Sequence, residues 1–118
     1  MNIEELREYC LSRKGATECF PFDEVTLVFK VQGKMFALIP LDEPDPQIAL
    51  KCDPEKALQL REAYSAITPA FHFNKKYWNS VRMDATISHD LIKDLINHSY
   101  TEVVSKLPRK LKDELCGL

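Results

Sequence analysis

The chain has 118 residues, of which 45% are hydrophobic, and this is the usual size of one domain with its own core, here spanning residues 1–118. Its formal charge of −2 disfavours a generic polyanion binder, because clustered Lys and Arg supply most of the nonspecific affinity for DNA. The four Cys residues lack CxxC spacing, and there is neither a signal-peptide pattern nor the roughly 18 apolar residues of a membrane span, so we predict a cytoplasmic protein with free thiols.

Hydrophobic periodicity and end signals divide the chain into four helices and four strands. In chain order we predict a helix from Asn2 to Gly15, strands at 25–31, 34–40 and 47–51, a helix from Asp53 to about residue 65, a strand at 76–83, a long helix from Ser88 to Leu107, and a short helix at 108–116. Asn2, Asp53 and Ser88 are suitable helix caps, since their side-chain oxygens accept from the free amides of a first turn. Because the strands are central and helices lie at the ends, the pattern predicts an α+β fold, with an antiparallel sheet packed against N- and C-terminal helices as a two-layer sandwich.

The Gln32-Gly33 dipeptide is typical of a two-residue hairpin turn, because Gly tolerates the positive φ that such turns require. This loop length fixes which residues of the two flanking strands face each other. The predicted opposite pairs are Val31 with Lys34, Phe29 with Phe36, and Leu27 with Leu38. Such cross-strand pairs stabilise a hairpin by roughly 0.2 to 1 kcal/mol each.

The segment from Pro69 to Arg82, PAFHFNKKYWNSVR, contains four aromatic side chains, one His, two Asn, three cations and no acid. This mixture favours contact with a nucleic-acid groove, a phosphate pocket or a protein interface. In a strand, Lys76, Trp78 and Arg82 share one face, where an aromatic ring can stack on a base while cations contact phosphates. The alternative is that Trp78 fills the core under the long helix and that Lys75, Lys76 and Arg82 cover a solvated strand edge.

A second group of cations lies near the end of the chain, where no acid occurs between Val103 and Lys112. Its members are Lys106, Arg109, Lys110 and Lys112. Residues 63–118 hold eight Lys and Arg against six Asp and Glu, so an anion-facing surface is expected from this half of the chain. If the tail folds beside the strand at 76–83, the two groups would form one basic strip.

Catalysis has little support in the sequence. His72 beside Asn74 has the residue types of a general base and its orienting partner, but no Ser or Cys nucleophile lies in a recognisable motif. His89 and His98 lie on opposite sides of one predicted helix, so they do not share a metal ion. The chain has no Walker loop and no GxGxxG. We therefore predict that it is not an enzyme and that it has no catalytic residue, metal site or cofactor.

Five ordered sequence blocks resemble the MmcQ/YjbR family of small bacterial proteins. The blocks are GATECFPF at 15–22, VFKVQGKMFAL at 28–38, ALKCDPEKALQLRE at 49–62, HFNKKYWNSV at 72–81 and SYTEVVSKLPRK at 99–110. The resemblance implies a CyaY-like α/β sandwich and a DNA-binding role through a double-wing arrangement. The positions that match the family motif are His72, Asn74, Lys75, Trp78, Asn79, Ser99, Tyr100, Leu107, Pro108 and Lys110. Ala70 departs from it, since Gly usually follows this Pro, and a positive φ there would distort the approach to His72.

These observations lead to two functional hypotheses from different classes. The first is a monomeric, non-enzymatic DNA-binding protein that uses a basic and aromatic surface from the second half of the chain. Its contact residues would be Lys75, Lys76, Trp78, Arg82, Arg109 and Lys110. The alternative is a small anionic-ligand or protein-interaction module. Its pocket would be lined by His72, Asn74, Lys75, Trp78 and Tyr100.

Overall fold

Four helices and one six-stranded antiparallel sheet form the structure, a computed structural model that describes residues 1–118. The elements are α1 (Ile3–Leu11), β1 (Ala16–Cys19), β2 (Thr26–Val31), β3 (Lys34–Pro40), β4 (Gln47–Lys51), α2 (Pro54–Ala63), β5 (Ile67–Pro69), β6 (Trp78–Arg82), α3 (His89–Ser105) and α4 (Arg109–Cys116). The strands lie in the order β1-β2-β3-β4-β6-β5. The predicted α+β fold, with an antiparallel sheet packed against helices, is confirmed. None of the four helices has both the length and the hydrophobicity that crossing a bilayer requires.

Three of the four helices begin at a side-chain cap, as the sequence predicts. Asn2 accepts a hydrogen bond from the amide of Glu5, and Glu5 accepts one from the amide of Asn2, which completes a capping box on α1. Asp53 and Ser88 each accept from an amide in the first turn of α2 and α3. Pro54 occupies the first position of α2, where its missing N–H costs nothing.

Two short edge strands, β1 and β5, are absent from the sequence-based prediction. α1 ends at Leu11 rather than at Gly15, and Gly15, at a φ of 74°, turns the chain into β1. β1 has four residues and β5 has three, too few for a two-residue alternation to show in the sequence. The strand predicted at 76–83 is shorter, Trp78–Arg82, because residues 74–77 form a turn.

The β2–β3 hairpin has the predicted turn but a different register beyond its first pair. Gln32 and Gly33 have φ values of 49° and 78°, as a tight hairpin turn requires, and Val31 faces Lys34 as predicted. The other two predicted pairs are wrong, because the register shifts by one residue between Phe29 and Lys30. The observed pairs are Phe29 with Ala37 and Leu27 with Ile39. This β-bulge allows both Phe36 and Ala37 to be fully buried with the helices.

The two faces of the sheet are covered very differently. The helices pack on one face of the sheet. There, 19 buried residues form the main core, and α3 packs across β3 and β4. The other face carries only a five-residue cluster, in which loop 70–77 folds over part of the sheet. Its members are Val28, Leu38, Ala49, Ala70 and Trp78. We call this second face the open face; beside the loop it is not covered by any helix, and it positions the candidate site.

Candidate functional site

A groove of about 670 Å³ lies on the open face of the sheet. Its floor is a row of directly paired residues on neighbouring strands, and paired residues share one face of a sheet. The row consists of Thr68, Ser80, Ala49 and Leu38. Three of the four side chains are small, so the floor lies low between walls formed by residues 22–25, 40–43 and 70–73.

A second cavity of about 230 Å³ continues the groove toward Arg82. The two cavities share four lining residues, Glu43, Gln47, Thr68 and Ser80. They therefore form one continuous groove, with Phe22 and Phe71 at one end and Arg82 at the other.

Large apolar side chains are exposed around this groove. Phe22 is 60% exposed and Phe71 is 68% exposed, on opposing walls, and Val25 lies beside Phe22. The Nζ atom of Lys75 lies 4.9 Å from the centre of the Phe71 ring, but Lys75 itself does not line the groove. Apolar surface of this kind is costly in water and typical of a binding site.

The charge inside the groove is negative. Asp23 accepts hydrogen bonds from two backbone amides and from the hydroxyl of Thr26, and these bonds hold the pKa of its carboxyl below the ordinary value. Asp42, Glu43 and Asp45 have no hydrogen bond or ion pair within the chain. No Lys or Arg lines the main cavity, and His72, which does line it, is exposed and makes no hydrogen bond. The site therefore differs from the predicted pocket for an anionic ligand.

Asn74 shapes the loop rather than the cavity. Its side-chain oxygen accepts from the amide of Lys76, and its carbonyl accepts from the amides of Tyr77 and Trp78. Ala70 is buried and closes the same loop by donating its amide to the carbonyl of Trp78. It does not adopt a positive φ, so the distortion expected from a missing Gly is absent.

Arg61 and Asn79 hold this loop against α2, a role that sequence reasoning missed. The Nε atom of Arg61 donates to the Asn79 side chain at 2.6 Å, and its Nη2 atom donates to the carbonyl of Lys75. Asn79, which is buried, donates in turn to the carbonyl of Ala57 in α2. A lone Arg in a helix and an Asn in a strand carry no pattern that would reveal this pairing.

Trp78 is only 8% exposed and lies under loop 70–77, 5.5 Å from the ring of Phe73. Trp78 belongs to the five-residue cluster on the open face, which is opposite to the face that carries α3. The expectation that it packs under the long helix is therefore wrong. A buried ring offers no face for stacking on a base. Tyr100, also predicted to line the pocket, lies on the helix-covered face, where it contacts Phe36 and donates to the carbonyl of Lys14.

The candidate cations do not form the predicted single strip. Lys76 and Lys106 both place their Nζ atoms 5.6 Å from the centre of the Tyr77 ring, so one member of each group does meet there. Arg82 lies at the far end of β6, 3.4 Å from the carboxylate of Asp84.

The other two candidate cations near the chain terminus, Arg109 and Lys110, make no contact with the Tyr77 ring. Arg109 is 93% exposed and lies 4.0 Å from Asp113, one turn along α4. Lys110 is exposed and has no ion pair.

The geometry offers no cluster of catalytic or metal-binding groups. No three His, Cys, Asp or Glu side chains come close enough to hold a metal ion. Burial raises the pKa of the Cys10 thiol to about 12 and that of Cys52 to about 11, which keeps both thiols protonated and poorly nucleophilic. His72 has neither an orienting partner nor a nucleophile within hydrogen-bond distance.

Comparison with known proteins agrees with these features of sequence and fold. The sequence profile of the YjbR family matches residues 11–102. The chain is 33% identical to YjbR of Escherichia coli (strain K12) over 118 residues, which is the full length of both. It is 42% identical to YbdF of Escherichia coli O157:H7 over 92 residues, covering 78% of this chain and 75% of YbdF.

Solved structures show the same fold. The crystal structure of Deinococcus radiodurans protein DR2400, with a DUF419 domain, superimposes with a TM-score of 0.90 at 36% identity, covering 97% of this chain and 87% of the other. A crystal structure of a Pseudomonas syringae protein gives a TM-score of 0.72 at 26% identity, covering 84% of this chain and 96% of the other. Given a profile match over most of its length and full-length relatives, this chain belongs to the YjbR family.

Proposed function

We propose that this protein is a non-enzymatic interaction module that binds a segment of a protein partner in the groove of the open face. The observation that carries the proposal is the distribution of exposed apolar side chains. Seven large hydrophobic side chains are exposed, and five of them lie in the groove walls or within two residues of a groove-lining residue in sequence. These five are Phe20, Phe22, Val25, Leu41 and Phe71; the other two are Leu58 and Leu118.

A protein segment suits this surface better than an enclosed small molecule does. The groove is open along the sheet and continues into the second cavity, so an extended chain could lie along it. Its apolar walls also extend beyond the cavity, because the amide of Leu41 bonds to the carbonyl of Val25 and holds Leu41 beside the rim. Protein interfaces combine such aromatic anchors with a polar margin.

The test is selection of peptides from a displayed random library on the immobilised full-length protein. Enriched peptides should contain apolar anchors, and Phe71→Ser or Phe22→Ser should weaken their binding about tenfold or more, as expected for an aromatic anchor. Leu58→Ser is the matched control, since Leu58 is 58% exposed on α2 and lies outside the groove. The proposal is overturned if no peptide is enriched, or if the control weakens binding as much as the groove variants do.

Nucleic acid is the second candidate, and the observation that favours it is the meeting of Lys76 and Lys106 at Tyr77. Lys51 lies near Lys106: burial first, and then the positive charge of Lys106, lower the pKa of Lys51. Lys76 and Lys106 at this ring, together with Lys51 near Lys106, would contact a phosphate backbone at the end of β4 and the start of β6. This arrangement uses fewer residues than the sequence predicts, since Arg82 and Arg109 have carboxylates beside them, and Lys106 itself lies 3.6 Å from the carboxylate of Glu102.

A salt titration with duplex DNA tests this candidate. Three phosphate contacts predict a log–log slope of about −3 between about 50 and 200 mM salt. Lys76→Gln and Lys106→Gln should each reduce the slope by about one. Lys93→Gln is the matched control, because Lys93 also lies over a tyrosine ring, 5.5 Å from the centre of Tyr9, but elsewhere on the surface. Absence of binding at the lowest salt would remove nucleic acid from consideration.

A further inference from the structure

We infer that the partner segment in the groove is basic: an apolar side chain between Phe22 and Phe71, followed by an Arg or Lys side chain at Glu43. This inference rests on the proposed function and adds the chemistry of the occupant. It reverses the sign expected from the sequence, where the aromatic segment at 69–82 is acid-free and predicts an anionic ligand.

The carboxylates around the groove are the first reason. Asp42, Glu43 and Asp45 lie in one loop between β3 and β4 and line the two cavities, and none has a partner within the chain. Asp23 on the neighbouring wall is ionised as well, since its hydrogen bonds lower its pKa. Four negative charges therefore face a groove in which Arg82 is paired with Asp84. These negative charges attract a cationic partner and repel an anionic one.

The spacing of these carboxylates argues for a side-chain cation rather than a metal ion. No three of them converge closely enough to coordinate a metal. Separated carboxylates along a groove suit a guanidinium or ammonium group, which forms directional hydrogen bonds to one or two carboxylates at a time.

The position of Glu43 sets the order of groups in the partner. Glu43 lines both cavities, so it lies at their junction, whereas Phe22 and Phe71 line only the larger cavity. An apolar anchor between the two rings therefore places the next part of an extended chain over Ser80 and Thr68, beside Glu43. The hydroxyls of Ser80 and Thr68 make no hydrogen bond within the chain and remain available to the partner backbone.

The experiment compares a selected peptide with its neutral analogue. An enriched peptide that contains Arg is synthesised with Arg and with citrulline, which keeps the shape of the side chain and removes its charge. Binding is measured by calorimetry on the full-length protein. We expect the citrulline peptide to bind about fivefold or more weakly, and Glu43→Gln to weaken only the Arg peptide by a similar factor, because charge-assisted hydrogen bonds are the strong ones.

The control substitution is Glu55→Gln, which removes an exposed carboxylate in the first turn of α2, away from the groove. It should leave both peptides unchanged. Enriched peptides that are neutral or acidic, or equal binding of the Arg and citrulline peptides, would overturn the basic partner while leaving the groove as a binding site. Failure to enrich any apolar peptide would instead overturn the proposed function itself.

Discussion

His98 links the protonation of a single side chain to the stability of the fold. Its Nε2 atom accepts a hydrogen bond from the amide of Asp53, the cap of α2, at 3.2 Å. Burial, and then the positive charge of Lys56, lower its pKa below 6.5, although Glu102 and Asp53 act in the opposite direction. The neutral imidazole is therefore the native form near pH 7, and the 3.8 Å contact with Glu102 is not an ion pair there.

We predict that stability falls as the pH drops from about 7 toward 5. Because the pKa of His98 is lower in the folded state, the unfolded chain binds the proton first. The stabilisation that neutral His98 contributes is present above pH 6.5 and is lost as the pH falls through the pKa of His98 in the folded state. His98→Gln keeps an acceptor near the Nε2 position and cannot titrate, so it should flatten this dependence in urea unfolding curves.

The exposed imidazole of His72 supplies the comparison, since it makes no hydrogen bond within the chain. His72→Gln should keep the wild-type pH dependence between about pH 5 and 7. A wild-type slope that persists unchanged in His98→Gln would show that other groups cause it.

At the scale of the elements, the Arg61–Asn79 contact joins α2 to β6 and to loop 70–77. We predict that Arg61→Met destabilises the protein by about 2 kcal/mol, because buried Asn79 loses a charge-assisted partner at 2.6 Å. The loop should loosen as well, since Arg61 also donates to the carbonyl of Lys75. Urea unfolding monitored by Trp78 fluorescence measures the loss of stability.

Arg7→Met is the matched control for the Arg61 variant. Arg7 forms a bidentate pair with Glu18 at 2.8 Å, but its side chain is about half exposed to solvent. Exposed ion pairs contribute little to stability because water screens them. If the two variants lose the same stability, the Arg61 contact has no structural role beyond an ordinary surface pair.

The elements that the sequence predicts are those defined by local chemistry. The caps at Asn2, Asp53 and Ser88 and the Gln32-Gly33 turn depend on residues within one turn of each other, and all are present. β1 and β5 depend instead on pairing with β2 and β6, because their own residues are too few to show a period. Phe36, the extra residue of the bulge, likewise packs against a distant residue, Tyr100, which is 64 positions away in sequence.

The candidate site shows the same division between local and distant information. The segment at 69–82 predicts a surface rich in aromatics, and Phe71 and His72 do line the groove. The acidic loop that lines the groove with them follows β3, and its charge becomes relevant only because β4 pairs with both β3 and β6 in the sheet. The aromatic segment alone therefore predicts a ligand charge opposite to the one that we propose from the whole groove.

At the scale of the whole molecule, the sheet separates two cores of unequal size. The main core contains 19 buried residues and involves the helices. The cluster under loop 70–77 contains five and depends on a loop whose closing bonds include those from the amide of Phe73 to Ala70 and of Tyr77 to Asn74. Because local opening costs less where few apolar contacts are lost, the loop is expected to open without unfolding the sheet.

Native-state hydrogen exchange measures this difference directly. The amides of Phe73 and Tyr77 should exchange through a local opening that low urea does not accelerate, whereas central amides of β2 and β3 should follow global unfolding. Phe73→Ala removes the ring that packs on Trp78 and should speed exchange in the loop far more than in the sheet. If all these amides shared one opening free energy, the loop and the sheet would form a single cooperative unit. The groove wall would then be a rigid surface, and partner binding would not slow exchange in the loop selectively.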